Sequence, residues 1–308
     1  MVNGERHTVP AFNATKTVIR VLKSLIQLSC YASLAILLGC AGSGQSSGQK
    51  KIRILTYNIH HGVGSDSTFN INRLASVIRR SDVDIVALQD VDRWVERTRK
   101  LDIMTTLADL TGMTYTFAKS RNIDGGENGI GLLTRFPILE EKHLMYHLQI
   151  ENQECVLLNL VLDVEGTEIA FMNTTLNYGL DDSVQNENVS EIKAAAREYR
   201  NIPMILCLSL NFPLRQQRSD AGMPDGQRVA SLAEIFQDCW TVAGSGSGFT
   251  YPSSMPKYRF DYIFGSRNQP PTDTRNLEVD LNAKEARVLD SNASDHLPLL
   301  TVVSAVSE

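Results

Sequence analysis

The chain has 308 residues and a net charge of −5 at pH 7, with 35 acidic and 30 basic side chains. Its length fits one large domain, and no internal repeat or second core is visible in the sequence. The acidic balance argues against nucleic acid as a partner, because the phosphate backbone attracts basic surfaces.

The N-terminal region is predicted to be a signal peptide, residues 1–39. Arg20 and Lys23 precede an apolar stretch from Leu25 to Leu38, and Gly39 and Cys40 follow it. This stretch is short for a bilayer span, which needs about 20 apolar residues. The pattern resembles the signals of bacterial lipoproteins, so we expect Cys40 to carry the lipid.

Residues 40–50 are rich in Gly and Ser and are predicted to be a flexible tether. A lipid at Cys40 would place the protein in the bacterial cell envelope, anchored to the membrane and facing the periplasm. Two alternatives stay open for this region. The signal is cleaved in the ordinary way, or it remains as an uncleaved anchor in which Cys40 is incidental.

Short apolar runs predict eight strands in the remaining domain, residues 51–308. They cover residues 52–58, 85–89, 129–134, 156–162, 168–174, 204–210, 260–264 and 297–303. Eight strands in this length imply two packed sheets. Apolar residues at helical spacing predict two amphipathic helices that cover the outer faces: Ile71, Leu74, Ala75 and Ile78 for the first, and Val189, Ile192, Ala196 and Tyr199 for the second.

Three cysteines lie in the predicted domain: Cys155, Cys207 and Cys239. An odd number argues against a full disulfide framework, and no pair has the spacing of a zinc site. Because Cys155 and Cys207 adjoin or lie in apolar runs, we expect buried free thiols.

Six motifs follow one another along the domain: TYNIHHG (56–62), IVALQD (85–90), NTTLN (173–177), ILCLSLN (205–211), YRFDYIF (258–264) and SDHLPL (294–299). Together they resemble the motifs of the endonuclease/exonuclease/phosphatase superfamily. The resemblance implies an α+β fold, a four-layer αββα sandwich with two mixed sheets between layers of helices. It also places the active site at one edge of the sandwich, where the motif-bearing strands end.

The resemblance implies a site for Mg²⁺ or Mn²⁺ at Asn58 and Asp90, with Asp295 approaching the ion. Oxygen ligands of this kind suit both cations. Asp90 is one methylene shorter than the family's Glu, so we expect weakened metal binding. The alternative is that Asp90 and the nearby Asp92 are solvated residues at a strand end.

Three catalytic positions of the family are retained. Asp261 and His296 match a pair in which the carboxylate orients the imidazole toward the phosphate. Asn211 matches a residue that binds the phosphate or the transition state.

Three other family positions are altered. Thr175 stands in place of a His, and Ser209 and Asn177 stand in place of Asp residues. A threonine cannot transfer a proton at neutral pH, and a serine hydroxyl is a poor base for activating water. Glu127, which matches the partner of the missing His, is then expected to be a turn residue, and Leu208 is expected to crowd the pocket where the family has Gly.

His60 and His61 resemble a metal-binding pair. Adjacent residues of a strand point to opposite faces, so both are not expected to bind one ion. One of them is expected to line the substrate pocket.

These observations lead to one main hypothesis and two alternatives. The main hypothesis is a degenerate metal-dependent phosphoesterase that binds a phosphoester small molecule or a phospholipid with little hydrolysis. The first alternative is an active enzyme with a rebuilt general base, for which His296 is the candidate. The second is a structural or protein-binding envelope component that uses the fold as a scaffold.

Overall fold

A computed structural model describes residues 50–152, 154–177, 182–211, 231–267 and 279–307. The predicted signal peptide, Cys40 and most of the tether lie outside these ranges. The described residues belong to one compact unit, Gln49–Glu308. Among the described residues, no helix is long and apolar enough to cross a membrane.

In the described ranges, twelve strands form two mixed six-stranded sheets. The strands are β1 (Lys50–Asn58), β2 (Ile85–Arg93), β3 (Thr114–Ile123), β4 (Gly126–Thr134), β5 (Ile138–Met145), β6 (Val156–Val164), β7 (Thr167–Asn177), β8 (Met204–Asn211), β9 (Phe236–Asp238), β10 (Asp261–Ser266), β11 (Val279–Val288) and β12 (Leu299–Ser307). The first sheet has the order β11-β12-β1-β2-β4-β3, and the second has the order β5-β6-β7-β8-β10-β9. Within each sheet one pair is parallel, β1 with β2 and β7 with β8.

The sheets are accompanied by the helices α1 (Ile71–Ser81), α2 (Ile103–Thr111), α3 (Asp182–Glu198) and α4 (Cys239–Ala243). Helix α1 begins at Asn70, whose side chain accepts hydrogen bonds from the backbone N–H groups of Asn72 and Arg73. Helix α2 begins in the same way at Asp102 and ends at Gly112, which has a φ of +69°. Such caps satisfy backbone groups that a helix end leaves unpaired.

Three apolar clusters define the layers. One packs α1 and α2 on the outer face of the first sheet, and another packs α3 on the outer face of the second. The third lies between the sheets and contains Ile54, Ile85, Leu158 and Phe171. This arrangement confirms the predicted αββα sandwich and both predicted helices. Cys155, Cys207 and Cys239 are buried free thiols, as expected.

Candidate active site

The two sheets meet at one edge through a contact between Asn58 and Ser209. Asn58 is the last residue of β1, and its Nδ2 donates to Ser209 Oγ over 3.2 Å. Its Oδ1 accepts from the backbone N–H of His60, at 3.2 Å. Both Asn58 and Ser209 are buried. The motif-bearing ends of β1 and β8 therefore come together between the sheets.

Asp261 lies beside Ser209, because the two residues are register partners in the antiparallel pair β8–β10. Asp261 Oδ2 is 2.8 Å from His296 Nδ1, and both side chains are buried. The other carboxylate oxygen, Oδ1, is buried and has no hydrogen-bond partner among the described residues. Asp261 therefore lies between Ser209, its register partner, and His296, its hydrogen-bond partner.

The environment of His296 favours the protonated ring. Burial opposes protonation, but the negative charges of Asp261, Asp295 and Asp90 outweigh it and raise the pKa of His296. The Tyr251 ring lies 4.9 Å from the imidazole, measured between centroids. The neighbouring carboxylates thus favour the protonated ring, and Nε2 is the ring nitrogen that does not contact Asp261.

Asp90 occupies a β-bulge in β2. The pairing of β2 with β4 shifts register between Leu88 and Val91, and Asp90 has a φ of +54°. Its Oδ1 accepts from Asn128 Nδ2 over 2.9 Å, and its Oδ2 lies 3.2 Å from His61 Nδ1. Burial opposes ionisation, but His61, Asn128 and the charge of Arg97 outweigh it and lower the pKa of Asp90. The Asp90 carboxylate is therefore held ionised at neutral pH.

Asp92 is fully buried, so its interpretation as a solvated strand end was wrong. Arg97 donates to both of its oxygens over 2.7 and 2.8 Å. Asn128 Nδ2 donates to Asp92 Oδ1 over 2.8 Å. A buried carboxylate needs such partners, because an unpaired one costs several kcal/mol. Asp90 is likewise bonded rather than free, with 21% of its side chain exposed.

Glu127 is a residue of β4 rather than a turn residue, which corrects the sequence interpretation. Its carboxylate is paired with Arg93, whose guanidinium lies 4.5 Å from the Phe117 ring on the helix-covered face of the first sheet. Asn128, one position later, faces the site instead. The alternation of β4 carried this signal, since Ile130 and Leu132 share the parity of Asn128 and pack between the sheets.

His60 and His61 lie in a 3₁₀ turn after β1, so the argument from strand alternation does not apply to them. Their φ angles are +44° and +43°, and their ring centroids are 4.3 Å apart. His61 approaches Asp90, while His60 Nδ1 lies 3.7 Å from Asp295 Oδ1. Both histidines therefore lie at the rim of the site, each beside a predicted metal ligand.

The altered positions Thr175 and Ser209 are register partners in the parallel pair β7–β8. Thr175 Oγ1 is buried without a hydrogen-bond partner in the described part of the chain. Asn177 and Asn211 form the last register pair of these strands, and their side chains lie outside the described residues. Leu208 packs in the cluster beneath α3, so the expectation that it crowds the pocket was wrong.

The residues at this edge suit a hard cation by their chemistry. Asn58, Asp90 and Asp295 offer oxygen atoms, as does Asp261, whose Oδ1 is buried and without a hydrogen-bond partner among the described residues. Within the described ranges, however, no group of three or more His, Cys, Asp or Glu side chains is close enough to hold an ion. Oxygen atoms of the kind that Mg²⁺ and Mn²⁺ prefer are thus present at this edge, but the described residues do not form a closed set of ligands.

The fold and the site together define a phosphoesterase-type domain. The sequence profile of the endonuclease/exonuclease/phosphatase family matches residues 55–296, and the chain belongs to this family. Members of the family typically depend on a divalent metal. No curated protein sequence matches the chain significantly.

Solved structures share the fold at low sequence identity. A family protein from Beutenbergia cavernae is 19% identical with a TM-score of 0.62, over 83% of this chain and 72% of that one. A mannosyl-6-phosphatase from Bacteroides thetaiotaomicron is 17% identical with a TM-score of 0.58, over 82% and 99%. The human Nocturnin catalytic domain with bound sulfate is 17% identical with a TM-score of 0.59, over 83% and 93%.

Proposed function

We propose that this domain is a degenerate metal-dependent phosphoesterase, which binds a phosphoester and hydrolyses it slowly or not at all. One observation carries the proposal. Ser209 is fully buried, and its hydroxyl is hydrogen-bonded to Asn58 at the position where the family has an aspartate base. A hydroxyl there cannot activate water at neutral pH.

Thr175 supports the same conclusion. It lies next to Ser209 in register, where the family has a histidine. Threonine offers one hydrogen bond and no charge, so it provides neither a proton nor electrostatic stabilisation of the developing negative charge. The two altered positions together remove the proton-transfer groups from one side of the site.

The retained residues provide for binding. Asp261 fixes the ring of His296 and favours its protonated form, in which Nε2 can donate to a phosphate oxygen. Mg²⁺ or Mn²⁺ at Asn58, Asp90 and Asp295 would neutralise phosphate charge. The exposed rim consists of Asp295 and His60, whose side chains are 35% and 38% exposed. A phosphoester small molecule or a phospholipid headgroup fits these requirements, and the Bacteroides mannosyl-6-phosphatase shares the fold.

Restoring the family residues tests the proposal. The double variant Ser209→Asp with Thr175→His should hydrolyse an aryl phosphomonoester or phosphodiester with Mg²⁺ or Mn²⁺ at least about 100-fold faster than the unaltered protein. The matched control is Ser209→Asn with Thr175→His, which has a similar shape but lacks the base. Equal rates for these two double variants would contradict the proposal.

The unaltered protein distinguishes the alternatives in the same assay. Turnover that His296→Ala abolishes would indicate an active enzyme with a rebuilt base. Thermal unfolding unaffected by Mg²⁺, Mn²⁺ or inorganic phosphate would indicate a scaffold, because a ligand bound only by the folded state raises its stability.

We also propose that the protein is anchored to the membrane of a bacterial cell envelope through a lipid at Cys40. The support is the sequence of residues 20–40, with basic residues, an apolar stretch and a small residue before the cysteine. Cys40→Ala should move the protein from the membrane to the soluble fraction. Unchanged membrane fractionation of this variant would refute the lipid anchor.

A further inference from the structure

A small cavity of about 40 Å³ adjoins the site between the two sheets. Asp90 and Asn128 contribute to its wall from the first sheet, and Thr175 contributes from the second. Arg121 of the edge strand β3 and Glu154 of the loop before β6 also line the cavity. Neither Arg121 nor Glu154 belongs to the family motifs in the sequence.

Two hydrogen-bond donors on this wall have no acceptor among the described residues. Arg121 Nε and Thr175 Oγ1 are both buried and unpaired among the residues that the structure describes. The Arg121 guanidinium is held in place because its Nη1 donates to the carbonyl oxygen of Asn152. Buried donors are normally paired, so the cavity lacks an acceptor that a ligand could supply. An oxyanion satisfies a guanidinium and a hydroxyl together.

Glu154 gives the same wall an unpaired acceptor. Its Oε1 accepts from the backbone N–H of Asn152 over 3.2 Å, while Oε2 is buried and without a partner in the described ranges. A carboxylate in this place repels an anion that has no proton to donate. It accepts a hydrogen bond from an anion that carries an O–H group.

We propose that this cavity receives the phosphoryl oxygens of a phosphomonoester, with Arg121 and Thr175 as donors and Glu154 as the acceptor for a phosphate O–H. The proposal rests on the proposed function and deepens it, since a diester anion and sulfate have no O–H group, whereas a phosphomonoester has one in its monoanionic form. The cavity has room for individual oxygen atoms, because one water position needs about 10–15 Å³. The phosphorus atom would then lie at its mouth, beside Asp90.

The test compares inorganic phosphate with sulfate, by calorimetry on the full-length protein at neutral pH with Mg²⁺ present to offset the charge of Asp90. The unaltered protein should bind phosphate more tightly than sulfate. Arg121→Gln should weaken phosphate binding about tenfold or more, because a hydrogen bond to a charged group is lost. Arg121→Lys should retain part of the affinity and Glu154→Gln should reduce the preference for phosphate over sulfate.

The matched control is Arg287→Gln, on the edge strand β11, where Arg287 is half exposed and paired with Glu285. It should bind phosphate as the unaltered protein does. If Arg121→Gln also binds phosphate normally, or if Glu154→Gln leaves the preference unchanged, this inference fails while the proposed function stands. If the unaltered protein binds no phosphate, the proposed function itself fails.

Discussion

Asn128 is the residue that joins the two carboxylates of the site wall. Its amide nitrogen has two hydrogens and donates to Asp90 Oδ1 and to Asp92 Oδ1, over 2.9 and 2.8 Å. The Asn128 amide donates to both carboxylate oxygens and adds no charge of its own. The side chain is 5% exposed, so water cannot easily replace it.

Asn128→Ala should therefore destabilise the protein by about 1–3 kcal/mol, because Asp90 Oδ1 and Asp92 Oδ1 each lose a hydrogen bond from the amide. Urea unfolding at pH 7 measures the change. Asn122→Ala in the same hairpin is the control, since Asn122 is exposed. A loss of stability no larger for Asn128→Ala than for this control would show that the amide does not hold the carboxylates.

At position 90, Asp suits the backbone conformation better than the longer Glu of the family would. Its φ of +54° lies in the left-handed region, which Asp and Asn adopt more readily than Glu. Asp90→Glu should thus destabilise the metal-free protein by about 0.5–1 kcal/mol. The same variant should increase the stabilisation by Mn²⁺, because the longer carboxylate reaches further.

Urea unfolding with and without Mn²⁺ separates these two effects. Asp90→Asn serves as the comparison, since asparagine keeps the left-handed preference but loses the charge. A variant Asp90→Glu that is as stable as the unaltered protein and gains nothing from Mn²⁺ would contradict both expectations.

At the scale of elements, the segment between the 3₁₀ turn and α1 is held by Asp66 and Arg73. Arg73 donates to both oxygens of Asp66 over 2.8 and 2.9 Å and to the Thr68 carbonyl oxygen over 2.7 Å. The Thr68 N–H donates to Asp66 Oδ1 over 3.0 Å. These bonds fasten the chain directly after the histidines at the rim of the site.

The hydrogen bonds from Arg73 and Thr68 lower the pKa of Asp66 from 3.8 to about 2. Because the folded-state pKa is lowered, the stabilising contribution is fully present above pH 3.8 and is lost as the pH falls toward 2. NMR titration of the Asp66 carboxyl should give a pKa of about 2, and in Arg73→Gln the pKa of Asp66 should return toward 3.8. An unchanged pKa in Arg73→Gln would refute the assignment of the cause.

The strands that sequence patterns missed share one property. The eight predicted apolar runs correspond to β1, β2, β4, β6, β7, β8, β10 and β12. The four remaining strands, β3, β5, β9 and β11, are the four edges of the two sheets. An edge strand is exposed to water along one side. All residues of β5 are intermediate or exposed, whereas nearly all residues of the central strand β6 are buried. Apolar runs therefore indicate central strands only.

The site shows the same division. Motif residues at the ends of central strands, such as Asn58, Ser209 and Asp261, were assigned to one edge from sequence, and the structure places them together. Asn128 and Arg121 were missed, because their roles depend on the bulges in β2 and β3 that set the register around β4.

At the scale of the whole molecule, the three thiols differ in how much of the protein must unfold before each is exposed to solvent. Cys207 and Cys239 lie in the cluster between the sheets, and burial raises the pKa of Cys239 to about 12. Cys155 lines the cavity beside the site, next to a loop braced by Gln149. Cys155 is thus the thiol closest to a local route of exposure.

A thiol reagent at pH 8 should accordingly modify Cys155 before Cys207 and Cys239, which should react only at the rate of global unfolding. Peptide mapping by mass spectrometry after timed labelling gives the order. Urea below the unfolding midpoint should speed the reaction of Cys207 and Cys239 together. Rapid labelling of Cys239 in the native protein would contradict the described packing.

The register of β7, β8 and β10 also bears on how this chain could evolve. Thr175, Ser209 and Asp261 are neighbours across three strands, so a single reversion of Ser209 to Asp would bury a second carboxylate beside Asp261. Without a cation or an imidazole at position 175, that intermediate would lose several kcal/mol of stability. Descendants would have to regain both residues nearly at once. If the two residues were lost from an active ancestor, as the proposed function implies, this packing would oppose their recovery one at a time.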